Sequence, residues 1–191
     1  MLTLEQHRIE FSNRPFIATP LAGLIIWLLI GLSGIFFSTE ATVWILFIGT
    51  GSIVYLAMFL SRFTGENFSE QRKKKTPFDT LFLFAVGQSF LVYAIAIPFF
   101  RQDISSLPLA IGILTGTMWL PFSWIIRHWV GIFHAVTRTL GLLALWYILP
   151  DDRFVTIPFA IVALYIATLL ILRYRKKQLS RTGTASIENI V

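Results

Sequence analysis

The chain is divided by charged links into apolar runs of helix length, and this spacing constrains its fold more than any other feature. The runs lie at about 20–37, 41–60, 79–100, 107–126, 130–149 and 154–172. A bilayer's hydrocarbon core takes roughly 20 helical residues to cross. In lipid every backbone N–H and C=O must be bonded within the chain, so runs of this length fold as transmembrane helices. The expected fold is therefore an all-α, six-span bundle. It is flanked by an interfacial segment at 1–19 and a basic tail at 173–191. Composition agrees: 55% of the 191 residues are hydrophobic and 14% are charged, where a soluble domain carries about 25% charged residues.

The links carry topological information. Arg8, Arg14, Arg62, Arg72, Lys73, Lys74, Lys75, Arg127 and the tail cluster Arg173, Arg175, Lys176, Lys177 and Arg181 fall on one side of a six-span chain. Arg101 and Arg153 fall on the other. Lys and Arg in short loops mark the cytoplasmic face, so both termini are expected in the cytoplasm. The same placement accounts for the net charge of +6 without a nucleic-acid partner. Membrane lipids are the expected partners, with Arg72–Lys75 at headgroup level. Cysteine is absent, and three histidines do not make a structural zinc site. No cofactor is expected.

Local signals mark several boundaries. Thr3 and Gln6 have the spacing of a capping box for a short N-terminal helix. Asp79 is placed to cap the third span. The boundary between the fourth and fifth spans has two solutions. Arg127-His128 is the natural turn; alternatively the chain turns at Pro121-Phe122-Ser123 and the fifth helix is longer. Pro121 is expected to bend the fourth helix. Gly112 and Gly116 allow close helix approach, either within the bundle or in a homo-oligomer.

Ionisable residues inside an apolar tract are costly, so Trp124–Thr139 stands out. Wound as one helix, it places Arg127, Gly131, His134 and Arg138 on a common face. Arg138 lies near the middle of the fifth span and cannot lose its proton. No Asp or Glu lies within an apolar run to neutralise it. Backbone carbonyls, Gln88, a tyrosine hydroxyl, water or an external anion remain as partners. Gln88, Ser89, Tyr93, Tyr55, Tyr165 and Thr168 are the polar residues of the other spans, each explicable as an interhelical hydrogen bond and together able to line a cavity. The candidate binding residues are His134, Arg138, Gln88, Tyr93, Arg127 and Trp124. No catalytic residue is assigned. Ser52 in a Gly-rich stretch and His134 mimic an intramembrane serine protease superficially. His128 and His134, six apart, face different directions and do not share a metal.

Three segments carry a family likeness: Glu5–Arg14 leading into Leu21–Trp27, Lys75-Thr76-Pro77-Phe78 followed by Gln88, and Leu120-Pro121-Phe122-Ser123-Trp124. Together they resemble a family of small bacterial multi-span membrane proteins of unknown function. The resemblance covers most of the chain and implies six spans and a bacterial inner-membrane location. It brings no activity and no catalytic residue. A binder or transporter of a small or amphipathic, anionic substrate is the first functional expectation. A lipid-handling membrane enzyme and a structural or regulatory partner are the others.

Overall fold

A computed structural model describes residues 3–66 and 76–188, without the side chains of Ser89 and of 180–188. The basic stretch Arg72–Lys75 lies outside the described residues. All regular structure among the described residues is helical: α1 (Leu4–Ser12), α2 (Ala18–Phe36), α3 (Thr39–Thr64), α4 (Pro77–Leu91), α5 (Tyr93–Gln102), α6 (Ser106–Gly116), α7 (Trp119–Ile126), α8 (Val130–Ile148) and α9 (Arg153–Glu188). Six spans among the described residues are long and apolar enough to cross a membrane: α2, α3, α4 with α5, α6 with α7, α8, and α9 to Leu179.

The interrupted spans have different local character. At Val92, between α4 and α5, the dihedrals remain helical (φ −54°, ψ −34°), so the two helices continue one another. The break between α6 and α7 falls at Thr117–Met118. Pro121 lies four residues beyond Thr117 and cannot donate to its carbonyl, which is the expected cause of a bend there. The Thr117 carbonyl instead accepts from Leu120 N at 3.1 Å.

The turn between the fourth and fifth spans falls at Arg127-His128. Arg127 ends α7 in the left-handed region (φ 49°, ψ 47°). Its N–H bonds back to Ser123 O and Trp124 O, and His128 N bonds to Ser123 O at 3.2 Å. Trp124–Thr139 is therefore two helices. The common face of Arg127 with His134 and Arg138, which assumes one helix, does not form.

Caps set the other ends. Thr3 and Gln6 form both arms of their capping box. The third span starts at Pro77 rather than at 79, because Thr76 is the cap and Asp79 is its reciprocal partner. Proline suits the first turn because its missing N–H would have no helical partner there. Gly65 closes α3 at φ 77°, where a side chain would be strained. The last helix continues past 172 to Glu188. Arg, Lys, Gln and Leu at 173–179 are good helix formers, so loss of apolarity does not end the helix.

The start of α2 has an unusual cap. Ile17, its N-cap residue, offers no side-chain acceptor. Glu66, just beyond α3, accepts from Ile17 N at 2.6 Å and Ala18 N at 2.7 Å. Burial pushes the Glu66 carboxyl above its ordinary value of 4.5, against the lowering effect of these N–H groups.

The core lies where α2, α6, α8 and α9 meet, around Trp27, Ile30, Leu107, Ile111, Leu142, Ile157 and Ile161. Gly112 and Gly116 serve this packing. A Cβ on Gly112 would sit 2.8 Å from Leu142 Cδ1, and one on Gly116 would sit 2.8 Å from Arg138 Cδ. The span of α3 and that of α4–α5 are the least buried of the six. α3 packs along α2, whereas α4 leans on α1 and α7. A space remains between α3 and α4.

Candidate functional site

His134 and Arg138 are one helical turn apart on α8 and face the bundle interior, at 0% and 2% exposure. Four other helices supply their surroundings. His134 lies 2.8 Å from Thr168 Oγ1 through Nδ1 and 3.3 Å from an Arg138 terminal nitrogen through Nε2. The Thr168 hydroxyl donates to Leu164 O at 2.8 Å, so it accepts from the imidazole. Nδ1 then carries the proton and Nε2 accepts from Arg138, which defines a neutral tautomer. Trp119 of α7 stacks on the imidazole at 4.2 Å between ring centroids.

Arg138 also donates to Tyr165 OH at 3.3 Å and to Thr115 Oγ1 at 3.1 Å. Its guanidinium carbon lies 5.4 Å from the Trp27 ring centroid and 5.6 Å from that of Tyr165. All of these partners are neutral. The described ion pairs join Arg14 to Asp79, Arg127 to Glu5 and Arg153 to Asp103, so Arg138 has no carboxylate partner among the described residues. Its Nε is buried without an acceptor. Gly131, on the same face about one turn before His134, admits the close approach of α7: an added Cβ would overlap the Trp119 carbonyl oxygen.

A cavity of about 290 Å³ adjoins this cluster. Thr115, Trp119 and Tyr165 form its inner wall, and each touches Arg138 or His134. Ile53, Val54 and Ala57 of α3 face Phe82, Val86 and Phe90 of α4 across it. Arg14 and Asp79 border it and bond to one another, with Asp79 Oδ2 also accepting from Thr76 N at 2.7 Å. Tyr93 and Thr50 line it as well, with their hydroxyl oxygens 2.6 Å apart. Thr50 donates to Leu46 O at 2.7 Å, so Tyr93 is the donor of that pair.

Of the six candidate residues, the structure brings together His134 and Arg138 and places Tyr93 across the adjoining cavity. Arg127 pairs with Glu5 at the exposed end of α7. Trp124 is exposed beneath the Arg8 guanidinium, 4.3 Å from the ring centroid. Gln88 is exposed and donates to Thr117 Oγ1 at 3.1 Å. None of these three lines the cavity. His128 lies at the turn, where its Nδ1 accepts from Val130 N at 3.2 Å. Burial, then the Arg175 charge, holds its pKa below the usual 6.5. Ser52 donates to Gly49 O at 2.8 Å, and both His134 nitrogens have other partners. No cluster of metal-ligating side chains occurs among the described residues. Thr115 and Trp119 are the residues of the site that the sequence did not single out. Trp119 reads as one more interfacial aromatic, and only the fold sets it on His134.

Fold and site together define a multi-pass helical membrane protein with a cationic cluster walled off in its core. The chain belongs to the family of unknown function DUF7010, which it matches over residues 2–175. No curated protein and no solved structure matches it.

Proposed function

We propose that this protein binds, and by binding carries, a small amphipathic molecule within the bilayer, with the Arg138–His134 cluster behind the polar end of the site. One observation carries the reading: the cavity's inner wall consists of residues that touch Arg138 or His134. A permanent charge held by neutral groups beside open space is available to a ligand's field, whereas one locked to a carboxylate is not. The cavity volume is at the low end for small-molecule sites, and its lining is mostly apolar with a few placed polar groups, as such sites require. Its flanking helices are the two least buried spans, which suits entry from the lipid side.

We place the protein in a bacterial inner membrane with both termini cytoplasmic. The basic ends of α1, α7 and α9 support this: Arg8 bonds to carbonyls at the end of α7, and Arg175 bonds to the Ser12 carbonyl. Reporter fusions at Asp152 and at the C-terminus should give opposite sidedness; the same sidedness overturns the topology.

The binding reading is tested by filling the cavity. Ala57, 3% exposed, points into it from α3. Protein purified in mild detergent should release a small amphiphile detectable by mass spectrometry, and Ala57→Trp should release much less while remaining folded. Equal recovery from both proteins, or none from the wild type, refutes the reading.

A further inference from the structure

The hydrogen-bond directions around Arg138 specify what the cavity can recognise. Tyr165 is 7% exposed, and its oxygen accepts from Arg138 at 3.3 Å. No other hydrogen bond engages this hydroxyl, so its proton has no acceptor among the described residues. Tyr165 lines the cavity, and the cation behind it polarises the O–H bond outward. The other hydroxyls differ. Thr115 donates to Ile111 O at 2.6 Å, Thr50 donates to Leu46 O, and Tyr93 donates to Thr50. Thr19, the remaining hydroxyl of the lining, is hydrogen-bonded to neither Arg138 nor His134; among the lining hydroxyls bonded to Arg138, Tyr165 alone has a proton to give.

Charge points the same way. Arg14 and Asp79, the charged residues of the lining, neutralise one another. Arg138, one residue behind the wall, remains uncompensated. An acceptor on Tyr165 would lie roughly 6 Å from the guanidinium, taking 3.3 Å plus a hydrogen bond of about 2.7 Å. At an effective dielectric constant of about 20, one unit charge at that distance shifts an equilibrium by nearly two orders of magnitude. Desolvating the anion removes part of that gain. A cavity of about 290 Å³ is near the low end for small-molecule sites, which suits a ligand of modest size.

We propose that the ligand is a monoanionic amphiphile of the medium-chain carboxylate class. Its anionic oxygen accepts the Tyr165 proton in front of Arg138, and its apolar chain lies between α3 and α4 along Val54, Ala57, Val86 and Phe90. Tyr165 is then the residue that sets specificity. This inference rests on the binding reading above and deepens it.

The test compares octanoate, octanol and octylamine, which share a chain and differ in head charge. Each is titrated into wild-type protein in non-ionic detergent, below its own micelle concentration, by isothermal titration calorimetry. Octanoate should bind at least about ten-fold tighter than octanol, and octylamine weakest. Tyr165→Phe should weaken octanoate by about ten-fold and leave octanol nearly unchanged. If octanol or octylamine matches octanoate, the anion assignment falls while cavity binding stands. If Tyr165→Phe retains the full preference for octanoate, the role of Tyr165 falls. If none of the three binds, the carboxylate assignment falls; the binding reading falls with it only if wild type also releases no amphiphile in mass spectrometry, or Ala57→Trp releases as much.

Discussion

The approach of α7 to α8 positions the site, and Gly131 permits it. A Cβ on Gly131 would overlap the Trp119 carbonyl oxygen and lie 2.7 Å from Ser123 Cβ and 2.9 Å from Ser123 N. Two of these atoms are backbone and belong to a packed helix, so rotamer changes cannot relieve the overlap. The helices must separate by several tenths of an ångström, taking Trp119 off the His134 ring. Overpacking of this kind costs about 1–3 kcal/mol, and backbone clashes fall at the upper end. Alanine's better helix propensity returns about 0.8–1 kcal/mol. Gly141, on the same helix, isolates that second contribution: a Cβ there meets nothing within 4 Å. Gly131→Ala should thus be destabilised by about 1–2 kcal/mol, and Gly141→Ala stabilised by up to about 1 kcal/mol. At roughly 2–4 °C per kcal/mol for a chain of this size, their melting points should differ by about 2–12 °C. Tryptophan-fluorescence melts of the two variants in one detergent measure the gap directly. Equal melting points, or a higher one for Gly131→Ala, refute the close α7–α8 contact and with it the placement of Trp119.

Two further predictions concern the ends of the helices. Glu66 caps α2 from outside that helix, so Glu66→Ala should lower stability by about 1–2 kcal/mol in a thermal melt, and Glu66→Gln, which retains an acceptor, by less. Because the folded state raises the Glu66 pKa, its contribution is full below the ordinary value of 4.5 and declines as pH rises through the folded pKa. Wild-type stability should therefore fall relative to Glu66→Gln as pH increases above 4.5; a gap that widens in the other direction contradicts the burial. At Arg127, φ is 49° and the ion pair with Glu5 is exposed. Arg127→Gly should be at least as stable as wild type within about 1 kcal/mol, and Arg127→Val less stable by about 1–2 kcal/mol, as read by the same melts; the reverse order contradicts the left-handed turn.

Hydropathy and link charges alone made the six spans legible, because lipid leaves the backbone few alternatives. The pair His134 and Arg138 was legible for a related reason: groups this costly in hydrocarbon face inward, and a spacing of four puts them on one face. Tyr165 and Thr168 stood out as polar residues in an apolar helix, although nothing in the sequence joined them to Arg138 and His134 in particular. Three parts of the structure had no local signal. The charged pair Arg127-His128 marks the turn between the fourth and fifth spans, but nothing in the sequence signals its left-handed geometry, for which arginine has no preference. Glu66 is one acidic residue in a polar link until the fold brings it under the first turn of α2. Thr115 and Trp119 join the site through the α6–α8 and α7–α8 contacts, which depend on glycines whose neighbours lie on other helices.

The central claim is that the Arg138 charge serves a ligand and not only the scaffold. Ligand retention measured by native mass spectrometry on wild type, Arg138→Lys and Arg138→Gln, all extracted in the same mild detergent, tests it most directly. Lysine keeps the charge without the planar fork, and glutamine removes the charge while retaining hydrogen-bonding capacity. The account predicts a bound small amphiphile on the wild type, partial retention with Arg138→Lys and loss of most of it with Arg138→Gln, all three remaining folded by thermal melt. Equal retention in all three folded proteins would make Arg138 scaffold and contradict the account.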